Sequence, residues 1–227
     1  MSLDCLKQLF RRPLEISLPA AILQRITDVP CISFDVFDTL LKRAVPRPHD
    51  VFRRVGAEIG DATFAEQRIA AERMARKAAA KNGTEEITFA DIYACMPEEK
   101  RELAQVEIEM ERTLSRPNAW LAPVLRVCET RHARILAVSD MYLPQEFVAE
   151  LLARADIRVE RLFVSSTYGR QKGTGNLFRI VLRETGIVPG DIVHIGDSLR
   201  ADYFGARRAG LRSILIPRDV PQDALLP

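Results

Sequence analysis

The chain has 227 residues, 47% hydrophobic and 28% charged, with 33 basic against 31 acidic residues and a net charge of +2. This is the profile of a globular protein built as one large domain or as a core with a smaller second domain. A chain of this length buries about 70% of its unfolded surface without help from metal or disulfide. The charge balance argues against a nucleic-acid surface, whose footprint is a concentrated basic patch, and basic stretches such as "RRVGAEIG" read as solvated helix faces. No apolar run approaches the ~18 residues of a membrane span. Cys5, Cys31, Cys95 and Cys128 are irregularly spaced, without a C-x-x-C pair, so neither a zinc site nor a disulfide framework is expected. An early Asp4 and the lack of a leader-like apolar region make a reduced, cytoplasmic protein the expectation.

In chain order, the first strong signal is the apolar run "CISFDV" (31–36). Helical patterns follow at 49–60, 64–83, 88–96 and 97–116, with Thr88 as a cap and Pro97 ahead of first-turn acids. No strand is expected between Ala44 and Arg116. The turn-rich "RPNAWLAP" returns the chain to the core, with Trp120 as a hinge or core anchor. Four more apolar runs then alternate with helices: 134–140, 161–166, 191–196 and 212–216, separated by helical stretches at 144–155, 175–186 and 199–210. Continuous rather than alternating apolar strands suit a parallel sheet covered on both faces. The fold class is therefore α/β, a doubly wound parallel sheet, with residues 1–43 and 117–227 forming the core and 44–116 an all-helical insertion after the first strand. The end "PRDVPQDALLP" reads as a loose tail.

In such a sheet, ligands bind beyond the carboxyl ends of the strands. The first run ends in Asp35, followed by Asp38 and Thr39; the second ends in Ser139 and Asp140; Lys172 follows the third; Asp197 and Asp202 follow the fourth. Brought to one edge, carboxylates with a lysine and a hydroxyl form a hard-cation site beside a phosphate cradle. His49, His132 and His194 show no ligand-like spacing, and His194 reads as core.

The set "FDVFDTL", "ILAVSD", Lys172 and "IGDSLRADYFGARRAG" resembles the four motifs of the haloacid dehalogenase-like (HAD) superfamily, in order, over about residues 30–216. The resemblance implies a Rossmannoid core with an inserted helical cap domain. It implies Asp35 as the nucleophile that forms an aspartyl-phosphate, Thr39 and Ser139 as phosphate-binding hydroxyls, and Lys172 as the neutralising cation. It implies Mg²⁺ held by Asp35, the Phe37 carbonyl and Asp197, with Asp202 as a helper. Arg43, where the chain enters the cap, is a candidate contact for a substrate anion.

The sequence departs from the pattern at Phe37. Most phosphatases of the superfamily carry a second aspartate there, as general acid and base. Asp38 stands where glycine is more usual. Strand alternation would turn Asp38 away from the side that Phe37 faces; as a substitute acid it stays open, and otherwise it is a turn residue. The leading expectation is a Mg²⁺-dependent phosphohydrolase of a small phosphorylated metabolite. Phe37 favours a dehalogenase-like alternative. Resemblance of the FDxFDTL form to domains attached to glycosyltransferases of surface-polysaccharide pathways leaves an accessory, low-turnover role as a third.

Overall fold

The computed structural model describes residues 18–218. Cys5, the stretch before Leu18 and the tail from 219 onward lie outside the described residues. Helix α1 (Leu18–Ile26) precedes β1 (Cys31–Phe34). A short strand, β2 (Leu41–Arg43), leads into α2 (Asp50–Glu58), α3 (Phe64–Lys81), α4 (Phe89–Ala94) and α5 (Ala104–Leu114), and β3 (Ser115–Pro117) leads out. The core resumes with α6 (Ala122–Thr130), β4 (Arg134–Ser139), α7 (Gln145–Arg154), β5 (Arg161–Val164), α8 (Ser165–Tyr168), α9 (Asn176–Thr185) and β6 (Ile192–Gly196). A π-helical turn (Leu199–Phe204), α10 (Gly205–Arg208) and β7 (Arg212–Leu215) complete it.

The central sheet has five strands in the order β5-β4-β1-β6-β7, all parallel. This is the α/β doubly wound class expected. The first strand is central and the connections diverge on either side of it, which is the topological switch point where such sheets bind ligands. The strand residues alternate faces. Ile32, Phe34, Ala137 and Ile195 share one apolar cluster with Ile26, Cys128 and Val148. Cys31, Leu136, Val138 and Ile192 pack instead with Leu177, Phe178 and Val181 of α9. Both faces are covered, so the runs read as continuous rather than alternating. Burial pushes the Cys31 thiol up to about 12 and the Cys128 thiol up to about 11, which makes both packing residues rather than nucleophiles.

The helical segment is tied off by an antiparallel ribbon that the sequence reading did not contain: Leu41 pairs with Pro117 and Arg43 with Ser115. Three-residue strands, one of them ending in proline, give too little pattern to read. Helix α4 opens with the expected cap. Thr88 Oγ1 accepts from the Asp91 amide at 3.1 Å, and Asp91 Oδ2 accepts from the Thr88 amide at 2.8 Å. Between α3 and α4, Glu85 reaches the core: its carboxylate accepts from the Gln171 amide at 2.9 Å and from Thr174 Oγ1 at 2.8 Å. Among the described residues, no helix is long and apolar enough to cross a membrane.

Candidate active site

The carboxyl ends of β1, β4 and β6 open into a cleft of about 310 Å³. Asp35, one residue past β1, is anchored by its own amide, which donates to the Ile195 carbonyl at 2.9 Å. Its Oδ1 accepts from Lys172 Nζ at 2.5 Å, and the same ammonium donates to Asp202 Oδ1 at 2.6 Å. Lys172 is buried and lies on the loop between α8 and α9. That loop is pinned by its amide, which donates to Asp140 Oδ1 at 2.7 Å.

Asp202 is presented by the π-helical turn. A uniform helix was expected over 199–210. Instead the Tyr203 amide reaches back five residues to the Ser198 carbonyl at 3.1 Å, and the widened turn pushes Asp202 inward. Two glycines make room. A Cβ on Gly196 would meet Asp202 Cγ at 2.3 Å, and one on Gly205 would meet the Lys172 carbonyl oxygen at 2.1 Å. Asp202 Oδ2 accepts from the Ser198 amide at 2.8 Å, and Oδ1 also pairs with His194 Nε2 at 3.0 Å. His194 Nδ1 lies 2.9 Å from Ser33 Oγ. His194 is thus buried, as expected, and is also a site residue that sequence reasoning missed. Ser33 and His194 are register partners on neighbouring strands, a pairing the sequence does not mark.

These neighbours set the charges. Burial pushes the Asp35 carboxyl up, with Lys172 pulling back, and burial likewise holds His194 below its usual value. Asp202 is buried too, but Lys172 and the His194 hydrogen bond outweigh that and hold it low. Lys172, between carboxylates, is held charged. Burial pushes Asp140 up to about 6.

Of the residues singled out from sequence, Asp35, Phe37, Arg43, Ser139, Lys172, Asp197 and Asp202 all line the cleft. Thr39 does not; it is fully buried behind it. The hydroxyls of Thr39 and Ser139 are both buried without a hydrogen-bond partner. Carboxylate oxygens of Asp35, Asp197 and Asp202 lie within 4.8 Å of one another, close enough to share a cation. Asp197 Oδ2 accepts from Arg218 Nε at 2.7 Å, and Asp38 Oδ2 is 3.6 Å from the same atom. The alternation argument for Asp38 fails here. Its φ of 63° belongs to the left-handed region, so the chain is turning and both Phe37 and Asp38 face the cleft. That φ also accounts for the suitability of glycine at this position, and aspartate tolerates it. Phe37 lies under Arg43, whose Cζ is 4.2 Å from the ring centroid, and Arg43 Nε donates to Glu111 Oε2 at 2.7 Å.

A family model described as HAD-hydrolase-like matches residues 171–227, the part that carries Lys172, Asp197 and Asp202. Over that segment the chain is similar to haloacid dehalogenase-like hydrolases. A curated relative, haloacid dehalogenase-like hydrolase domain-containing protein 3 of Bos taurus, is 26% identical over 126 residues. The match takes in 53% of this chain and 50% of the relative, so it spans about half of that protein's length. Among solved structures, the L-2-haloacid dehalogenase of Xanthobacter autotrophicus aligns over 87% of this chain and 80% of its own, with a TM-score of 0.61 at 15% identity. A HAD-family enzyme of Bacteroides thetaiotaomicron aligns over 87% and 98%, with a TM-score of 0.58 at 13% identity. At these identities the likeness is one of fold.

Proposed function

We propose that this HAD-like chain is a Mg²⁺-dependent phosphohydrolase of a small phosphorylated metabolite, working through an aspartyl-phosphate on Asp35. The observation that carries the reading is the charge imbalance at the cleft. Asp35, Asp38, Glu72, Glu111, Asp140, Asp197 and Asp202 line it with Arg43, Lys172 and Arg218, so seven carboxylates face three cations, and three of the seven can converge on one ion. A hard divalent cation suits an all-oxygen donor set, and its remaining positions suit water and a phosphoryl oxygen. The residues therefore fit Mg²⁺, with Asp35, Asp197 and the Phe37 carbonyl as ligands. Asp202 takes part chiefly by fixing Lys172, since its oxygens already receive three donors. Bound there, the ion would neutralise charge on the phosphoryl group.

The chain's own groups divide the remaining work. Asp35 attacks phosphorus and the bond to the leaving oxygen breaks; water then attacks the aspartyl-phosphate and returns the carboxylate. Lys172 lets two anions approach each other. Ser139 offers its unpartnered hydroxyl to a phosphoryl oxygen. The helices between β2 and β3 act as a cap that narrows the cleft and excludes water, and Arg43 contacts the part of the substrate beyond the phosphate.

A second reading, hydrolysis of a 2-haloacid, is favoured by Phe37, because a departing halide needs no proton. The test is release of phosphate from an aryl phosphate with Mg²⁺, against EDTA and Asp35→Asn controls. Metal-dependent release that disappears in the variant supports the proposal. Halide release from a 2-haloacid without any phosphate release supports the second reading instead.

A further inference from the structure

Every carboxylate on the cleft wall, the nucleophile included, is engaged by a cation or a backbone donor. Glu111 holds Arg43, Glu72 lies between Arg68 and Arg76, Asp38 and Asp197 share Arg218, Asp202 holds Lys172 and Asp140 holds the Lys172 amide. The cleft wall shared with Asp35 carries the Phe37 ring with the Arg43 guanidinium laid over it, between β1 and the helical segment. The Arg43 side chain is only 7% exposed and cannot swing away without breaking its Glu111 pair. A guanidinium donates hydrogen bonds to an anion but does not give up its proton. This side of the cleft can stabilise negative charge as it forms, and it is poorly built to protonate it.

We infer that the leaving group departs as an anion paired with Arg43, so that the substrate is a phosphate joined to the oxygen of an acid, as in an acyl phosphate or a phosphoanhydride, rather than an alkyl phosphate ester. The inference rests on the phosphohydrolase reading and narrows it. Asp35 attacks phosphorus, the bond from phosphorus to the leaving oxygen breaks, and both its electrons leave on that oxygen as a carboxylate or a phosphate. Such an anion is stable in water as released, whereas an alkoxide must be protonated as it forms. Water then attacks the aspartyl-phosphate, the bond from phosphorus to Asp35 breaks, and the proton that water gives up passes to solvent. The products are the leaving anion, hydrogen phosphate and one proton. Besides the carboxylates already described, His49 can carry a proton: it is exposed at the cleft with its ring against Phe52, 5.7 Å between centroids. It therefore enters the test.

With a proton donor in place, turnover depends little on the acidity of the leaving group; without one, it follows that acidity, and a positioned donor is worth about 10²–10⁴-fold. The experiment measures kcat/KM for acetyl phosphate, inorganic pyrophosphate, nitrophenyl phosphate and glycerol phosphate with Mg²⁺, in the full chain, in D35N and in H49Q. The expected result is turnover of acetyl phosphate or pyrophosphate at least about 10²-fold above glycerol phosphate, lost in D35N and unchanged in H49Q. Glycerol phosphate turned over as fast as the acidic substrates, still dependent on Asp35, would overturn the inference and leave the phosphohydrolase reading standing. So would a loss in H49Q confined to nitrophenyl and glycerol phosphate, which would make His49 the donor. No Asp35-dependent phosphate release from any of the four would remove the phosphohydrolase reading itself.

Discussion

Arg68 and Lys172 are both cations buried out of reach of solvent, one in the helical segment and one in the core. Arg68 makes a two-pronged pair with Glu107, at 2.7 and 2.8 Å, and a third contact to Glu72 at 3.3 Å. Its guanidinium lies over Phe52 at 4.5 Å and Tyr142 at 5.0 Å, and Tyr93 closes the set by donating to Glu107 at 2.7 Å. Lys172 bridges Asp35 and Asp202 in a cleft that Ser139 also lines, and the buried Ser139 hydroxyl has no partner. Around Arg68 the donors and acceptors answer one another. Around Lys172 there is a surplus of carboxylate and of unused hydroxyl. A closed buried network fixes the helices in place; an open one is completed by something from outside, and the surplus says what: a cation and an anion together.

The largest expected effect falls on the open network. Asp35→Asn keeps the shape and removes the nucleophile, so phosphate release in a colorimetric assay should drop to the EDTA background. Lys172→Met and Arg68→Met should each lower unfolding stability by about 3–5 kcal/mol, because each strands buried carboxylates. Urea midpoints read with and without Mg²⁺ should then separate the two: the ion recovers part of the loss in Lys172→Met, where it replaces a missing positive charge, and gives Arg68→Met no more than it gives the parent chain. Equal recovery in both would erase the distinction.

A smaller effect concerns pH. The Asp140 carboxyl is raised in the folded protein to about 6, above the unfolded value of about 4. The folded state therefore holds the proton more tightly, and stability falls as pH rises between those two values. Asp140→Asn removes that dependence, with a difference of about 1–3 kcal/mol across the window, measurable by urea titration at pH 4 and pH 7. The smallest effect is outside both networks: Thr88→Ala removes the α4 cap and should lower stability by about 1 kcal/mol without changing turnover per folded molecule.

The same contrast governs what the sequence revealed. Asp35, Ser139, Lys172 and Asp197 could be read because each follows an apolar run that only a covered strand explains, and strand ends meet at one edge. Helix α4 was legible through Thr88, since capping is local chemistry. His194 was read as core, because a buried histidine carries no sequence mark of its partner, and that partner, Asp202, needs a π-helical turn to reach it. The turn was invisible for the same reason: its residues suit an ordinary helix, and the packing of Gly196 and Gly205 against Asp202 and Lys172 decides otherwise. The direction of Asp38 was misjudged because alternation holds only while the strand lasts, and β1 ends at Phe34. Long-range pairings such as Glu85 with the Lys172 loop leave no periodicity to read.

The most direct measurement is to trap the covalent intermediate. The protein is mixed with acetyl phosphate and Mg²⁺, quenched in acid, digested and examined by mass spectrometry. One phosphoryl group is expected on the peptide that contains Asp35, absent when Mg²⁺ is chelated and absent in Asp35→Asn. Phosphate turned over with the label on another residue, or release that persists in Asp35→Asn, would contradict it.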